Sequence, residues 1–205
     1  MDVMQTVGAL SGLAFVSGLR VYSTVLVVGL GVRYGFLQVP ESLRHLQVLG
    51  ATPILILSGA LYAIEFVADK IPWVDSVWDA VHTFIRPLGA AVLAATALGS
   101  VDPVVRVGAA LLSGGIALTS HSAKAGTRLL VNHSPEPASN IALSLSEDAT
   151  VAGGVWLAFT HPVTTLVVVI VLLAIIAWLL PKIVRLFRRN ADRLRSVVSG
   201  GSISQ

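Results

Sequence analysis

Residues 163–180 read VTTLVVVIVLLAIIAWLL, eighteen positions with no charge and two hydroxyls. A run of about 20 apolar residues is enough for a helix to cross the hydrocarbon of a bilayer, so this stretch decides the class of fold. Working back toward the N-terminus, five more apolar segments are expected, at residues 7–32, 52–68, 72–99, 107–119 and 141–159. Unlike residues 163–180, most of them carry charge: Arg20 in the middle of the first, Glu65 near the end of the second, and Glu147 with Asp148 inside the fifth.

The composition agrees. Of 205 residues, 55% are hydrophobic and 12% charged, with a mean hydropathy of +0.82, against about 25% charged in an ordinary soluble domain. A soluble or disordered chain is excluded, and six spans with short loops leave no room for a separate soluble domain. No Cys is present, which removes disulfides, thiolate metal sites and cysteine nucleophiles. The start, MDVMQTVGAL, has no basic region or small-residue cleavage site, so a cleaved signal peptide is not expected.

The excess positive charge sits in one place. Lys182, Arg185, Arg188, Arg189, Arg193 and Arg195 face a single acid, Asp192, leaving eight basic against ten acidic residues in the rest of the chain. A basic stretch beside a span is attracted to anionic lipid headgroups by roughly 1 kcal/mol per residue, so lipid rather than nucleic acid is the expected partner. The chain divides into a membrane domain, 1–181, and a basic tail, 182–205, that follows Pro181. An even number of spans places both termini on one side, and the positive-inside rule assigns that side to the cytoplasm.

The polar residues within the spans are patterned. Asp75, Asp79, His82 and Arg86 fall on one helical face ahead of Pro87, where a break or kink is expected. His121, Lys124 and Arg128 share a face in the next segment. Residues 132–140, NHSPEPASN, read as a turn that launches another helix, capped by Ser139 or Asn140. Charges in a span are costly and need water, partners or a function. Arg20 lies too deep to reach the interface, so it is expected to pair with Glu65 or Glu147.

Two other patterns bear on function. LSG recurs at 10–12 and 112–114, and ALYAIE at 60–65 matches ALSLSE at 142–147. Three spans per half would make the halves inverted repeats, a recurrent transporter construction. Asp75 and Asp79 form DxxxD, a pair able to hold Mg²⁺ on a lipid diphosphate, although the fuller Asn-Asp-rich motif of intramembrane prenyltransferases is missing. Asp79 and His82, one turn apart, also read as a proton relay.

The strings LYAIEFVADKIPWVDSVWDAVHTFIRPLGA, 61–90, and HSAKAGTRLLVNHSPEPASNIALSLSED, 121–148, resemble a bacterial integral membrane family catalogued as a domain of unknown function, of the DUF4126 type. The resemblance covers residues 18–148. It implies a multi-span inner-membrane protein and supplies no reaction, substrate or functional residue.

The sequence therefore predicts an all-α polytopic bundle of six spans, arranged as two inverted three-helix halves with broken or re-entrant helices, in a bacterial inner membrane. Its function is read as a small transporter or channel, with a path lined by Arg20, Glu65, Asp69, Asp75, Asp79, His82, Arg86, Lys124, Arg128, Glu147 and Asp148. The alternatives are a membrane enzyme or binding protein for a lipid-linked diphosphate, with Mg²⁺ at Asp75 and Asp79, and a structural partner in a membrane complex or homo-oligomer. With no Ser-base pair, phosphate cradle or zinc spacing, enzyme chemistry is the less favoured of these.

Overall fold

In helix α1, Val3–Leu19, every residue from Gly8 to Gly18 is buried. A helix that is apolar or small all round belongs inside a bundle, and α1 packs against the four longest helices of the chain. Its small residues make this possible. A side chain at Gly18 would collide with Ser120 Oγ and the Ala117 backbone, and one at Gly12 with Thr165 and Ala158.

A computed structural model describes residues 3–131 and 137–200. After α1 come α2, Val21–Arg33, a 3-10 helix, Glu41–Gly50, and α3, Thr52–Ala68. Then follow α4, Pro72–Ala97, α5, Pro103–Val131, α6, Pro137–Thr160, and α7, Pro162–Gly200. No strand occurs among the described residues. Pro72 begins α4, where its missing N–H costs nothing. Gly35, at φ 73°, turns the chain out of α2.

Burial is inverted relative to a protein in water. Arg20, Glu65, Asp69 and Arg86 are 0% exposed, whereas Phe84 is 74% and Leu111 73% exposed. Apolar side chains cover the outside of α3, α4, α5 and the first half of α7, while the inside holds both an apolar core and a group of buried charged side chains. Lipid is the solvent for which such a surface is stable.

Several expectations change. The segment 7–32 is not one helix, because Arg20 is extended (φ −153°, ψ 94°) and separates α1 from α2. The guanidinium collects partners from the end of α3 and from α6, while the backbone of Arg20 keeps a bond on each side, its N–H donating to the Val16 carbonyl at 2.9 Å and its carbonyl accepting from the Thr24 N–H at 3.0 Å. The stretch 35–50, read as a loop, contains the 3-10 helix, in which Leu43, Leu46 and Leu49 are buried. Their spacing of three is the period of that helix. Helix α4 runs through Pro87, and α7 continues past Pro181 rather than ending there. The proposed cap at Ser139 or Asn140 falls within α6, which begins at Pro137.

Three helical stretches are long and apolar enough to cross a membrane: Trp73–Ala97, Pro103–Arg128 and Pro162–Lys182. The 3-10 helix and α3, bent by 72° at their junction, make a fourth if counted as one broken span. Helices α1 and α2 are apolar but short. Helix α6 has the length, with 24 residues, but Ser144, Ser146, Glu147, Asp148 and Thr150 dilute its hydropathy.

Candidate functional site

The polar faces of α4 and α5 turn toward each other and toward the Arg20 break, the end of α3 and the middle of α6. There they form one ion cluster. Glu147 of α6 sits among three cations: Arg20 Nε donates to it at 3.1 Å, Arg128 Nη2 at 2.9 Å, and Lys124 Nζ lies 3.1 Å away. Asp69, just after α3, is the second hub. Its carboxylate pairs with Arg20 Nη2, with Arg128 at 3.4 Å and with Lys124 at 3.9 Å, while its carbonyl accepts from Arg128 Nη1 at 3.0 Å.

Arg86 closes the other end. Its Nη2 donates to Glu65 at 2.8 Å and its Nη1 to Asp79 at 3.1 Å. Nη1 also lies 2.6 Å from His121 Nδ1. A guanidinium only donates, so Nδ1 accepts and the hydrogen of this neutral imidazole is on Nε2. From there it reaches the Asp79 carbonyl and Thr83 Oγ1, each at 3.1 Å. Asp75 stands 3.6 Å from Arg128, and Asp148 stands 3.3 Å from Arg20 while accepting from the Tyr62 hydroxyl at 3.1 Å.

All ten charged residues singled out in the sequence thus meet in this cluster. Of the two partners expected for Arg20, Glu147 pairs with it and Glu65 pairs with Arg86. His82 is beside the cluster. Its ring stacks on Trp78, and its nitrogens contact the Trp78 carbonyl at 2.7 Å and the Tyr22 hydroxyl at 3.2 Å. The imidazole against Asp79 is His121, on the neighbouring helix. Lys70 lies in the turn between α3 and α4 with its ammonium over the Phe66 ring. Burial and the charge of Arg20 pull its pKa below the ordinary lysine value.

Sequence reasoning did not single out Tyr22, Tyr62, Thr83 or Ser144, whose hydroxyl lies 2.7 Å from Arg20 Nη2. Ser144 precedes Glu147 by three positions, on the same face of α6, and that spacing was a readable signal. Nothing in the sequence joins Tyr62 to Asp148, 86 residues away.

With every group ionised and both His neutral, four cations face six carboxylates. Buried oxygens of Glu65, Asp69 and Asp79 make no protein hydrogen bond. A cleft of about 240 Å³ between α4 and α5 reaches the cluster. It is lined by Ser76, Ala80, Thr83 and Ala125, with Asp79 and Arg128 among its walls. Asp75 and Asp79 are each set against a guanidinium, and among the described residues no three His, Cys, Asp or Glu are placed to hold a metal ion.

The fold and this cluster define an all-helical chain with helices of membrane-spanning length around a buried ionic core. The model of the family described as a domain of unknown function (DUF4126) matches residues 7–182, and the chain belongs to that family. No curated protein and no solved structure matches it.

Proposed function

We propose that this membrane protein is a small transporter or channel whose path passes through the cluster of Arg20, Asp69, Asp79, Lys124, Arg128 and Glu147. The observation that carries this reading is the imbalance of charge at the end of a cleft. A core that served only to hold helices together would pair its charges one to one, since each unmatched buried ion costs several kcal/mol. Here carboxylates exceed cations, and Glu65, Asp69, Asp79 and Asp148 each keep an oxygen without a protein hydrogen bond.

The proposed topology has six crossings, with α1 and α2 together as one broken span, and the 3-10 helix with α3 as another. Pseudo-repetition supports inverted halves. Gly12 lies against α7 as Gly114 lies against Pro87 of α4, and the two matched segments bring Glu65 and Glu147 to the same cluster. Both termini are proposed to be cytoplasmic in a bacterial inner membrane, with the basic residues from Lys182 onward against anionic headgroups. A metal-dependent reading retains only the one-turn spacing of Asp75 and Asp79 in its support.

The absence of Cys makes the test direct. Ser76→Cys, Thr83→Cys and Ala125→Cys should react with a small membrane-impermeant thiosulfonate in vesicles. Thiolates form only where water reaches, so Val92→Cys, on the exposed apolar face, should not react. Unreactive cleft cysteines from both sides of the membrane would leave a structural ion-pair core instead.

A further inference from the structure

Arg20 has more counter-charge than it needs. Its guanidinium pairs with Asp69 and Glu147, and a third carboxylate, Asp148, stands 3.3 Å from Nε. Like charges this close repel, and a carboxyl that shares its site with other carboxylates holds a proton more readily than it would alone. The three are not equivalent. Asp69 and Glu147 also bind Lys124 and Arg128, so neutralising either would leave buried cations short of charge. Asp148 is paired with Arg20 alone, and Arg20 keeps two carboxylates without it.

The surroundings of Asp148 suit both forms of a carboxyl group. Tyr62 Oη donates to Oδ2 at 3.1 Å, a bond that an ionised or a protonated carboxyl accepts. Oδ1 is buried and makes no hydrogen bond, so a proton can be added there without displacing a donor. The other charged and titratable groups near it are Arg20 at the helix break, Asp69 and Lys70 in the turn after α3, and Glu147 beside it on α6. The α5 cations, Lys124 and Arg128, lie on Glu147. Helices α3 and α6 meet here through side chains rather than by close packing. The Asp148 side chain is 19% exposed, which gives a proton an approach from outside the cluster, whereas Asp75, the other loosely paired carboxylate, is wholly buried.

We propose that Asp148 is the proton-binding group of the cluster: it takes a proton on Oδ1 while Tyr62 donates to Oδ2, and gives the proton up as the surroundings become alkaline. Only an O–H bond forms and breaks, and Arg20 stays paired with Asp69 and Glu147 throughout. The site stands on this geometry. Its use as the ion of the path rests on the transport reading.

The test is infrared difference spectroscopy of the purified full-length protein in detergent between about pH 6 and about pH 9, a range in which exposed carboxylates such as Glu41 stay ionised. A neutral carboxyl shows a carbonyl stretch clear of the carboxylate bands. Wild type should have this band at the acid end and lose it at the alkaline end. Asp148→Asn should lack it at both, whereas Asp75→Asn and Asp79→Asn should retain it. Tyr62→Phe should keep the band at a higher frequency, because the hydrogen bond to the carbonyl oxygen has gone. The proposal is overturned if wild type has no carboxyl band that changes with pH, or if the band survives in Asp148→Asn eluting as a single folded species. A band left unmoved by Tyr62→Phe overturns it equally. The full pattern beside unreactive cleft cysteines would keep the proton site and remove the path. Reactive cysteines without the band would keep the path and remove the proton site.

Discussion

Glu147 and Asp148 are neighbours on one helix, yet the structure gives them very different weights. The Glu147 carboxylate is 8% exposed and takes bonds of 2.9–3.1 Å from Arg20 and Arg128, with Lys124 also at 3.1 Å. Asp148 is 19% exposed, has one ion pair at 3.3 Å, and accepts from Tyr62, a bond an amide oxygen can keep. Glu147→Gln leaves three buried cations short of a counter-charge. Breaking a buried pair typically costs about 3–5 kcal/mol, and Asp69 remains to limit the loss. Asp148→Asn should cost less than about 1 kcal/mol. At roughly 2–4 °C per kcal/mol for a chain of this size, Glu147→Gln should lower the unfolding midpoint in detergent by roughly 6–20 °C, and Asp148→Asn by less than about 4 °C. Both are read from tryptophan fluorescence at one scan rate, which keeps the two midpoints comparable. Equal losses for the two variants, or a Glu147→Gln midpoint within about 2 °C of wild type, would refute the cluster as described.

Other expectations follow from the same contacts. Arg20→Met combined with Glu147→Gln should cost less than the sum of the two, by more than about 0.5 kcal/mol, while Arg20→Met with Glu65→Gln should be closer to additive, because Glu65 is bonded to Arg86. A double-mutant cycle on folded yield and midpoint separates these. Gly18→Leu should abolish folded protein on size exclusion, since Ser120 and Ala117 fill that space. Gly115→Ala, where a methyl meets nothing within 4 Å, should be neutral or stabilising by up to about 1 kcal/mol. Leu46→Ala in the 3-10 helix should cost about 2–5 kcal/mol by the same thermal assay, because its side chain is wholly buried. Reporter fusions at either end should report the cytoplasmic side, and an external C-terminus would reverse the proposed topology.

The ionic core was legible because helices impose a period. Asp75, Asp79, His82 and Arg86 on one face of α4, and His121, Lys124 and Arg128 on one face of α5, could be aligned from spacing alone, and the two faces meet. The pairing within the core was not legible. Glu65 and Glu147 are equivalent in sequence pattern, and only the positions of α3 and α6 decide which of them meets Arg20. The break at Arg20 was hidden for a different reason: no proline marks it, and apolar residues continue on both sides. Hydropathy saw one segment there, whereas a buried guanidinium needing bonds to two distant elements saw two. The 3-10 helix was overlooked because Leu43, Leu46 and Leu49 repeat every three residues, and a search tuned to the α-helical period passes over them.

Arg20 also constrains how the protein is made. Its counter-charges Asp69 and Glu147 lie 49 and 127 residues further along the chain. At roughly 5–20 residues per second of synthesis, Asp69 follows Arg20 after about 2.5–10 s and Glu147 after about 6–25 s. Until the first of these arrives, a bare guanidinium in the middle of the first apolar segment has no carboxylate partner of this cluster, and the pair with α6 comes later still. In a membrane, α1 and α2 would then be expected to stay at the lipid–water boundary or inside the insertion machinery until the end of α3 has emerged, and to reach their final place once α6 follows. The interruption at Arg20 suits such a delay, because two short helices can lie along the interface as one long helix with a central charge cannot. The innermost helix of the finished bundle would then be among the last to reach its place.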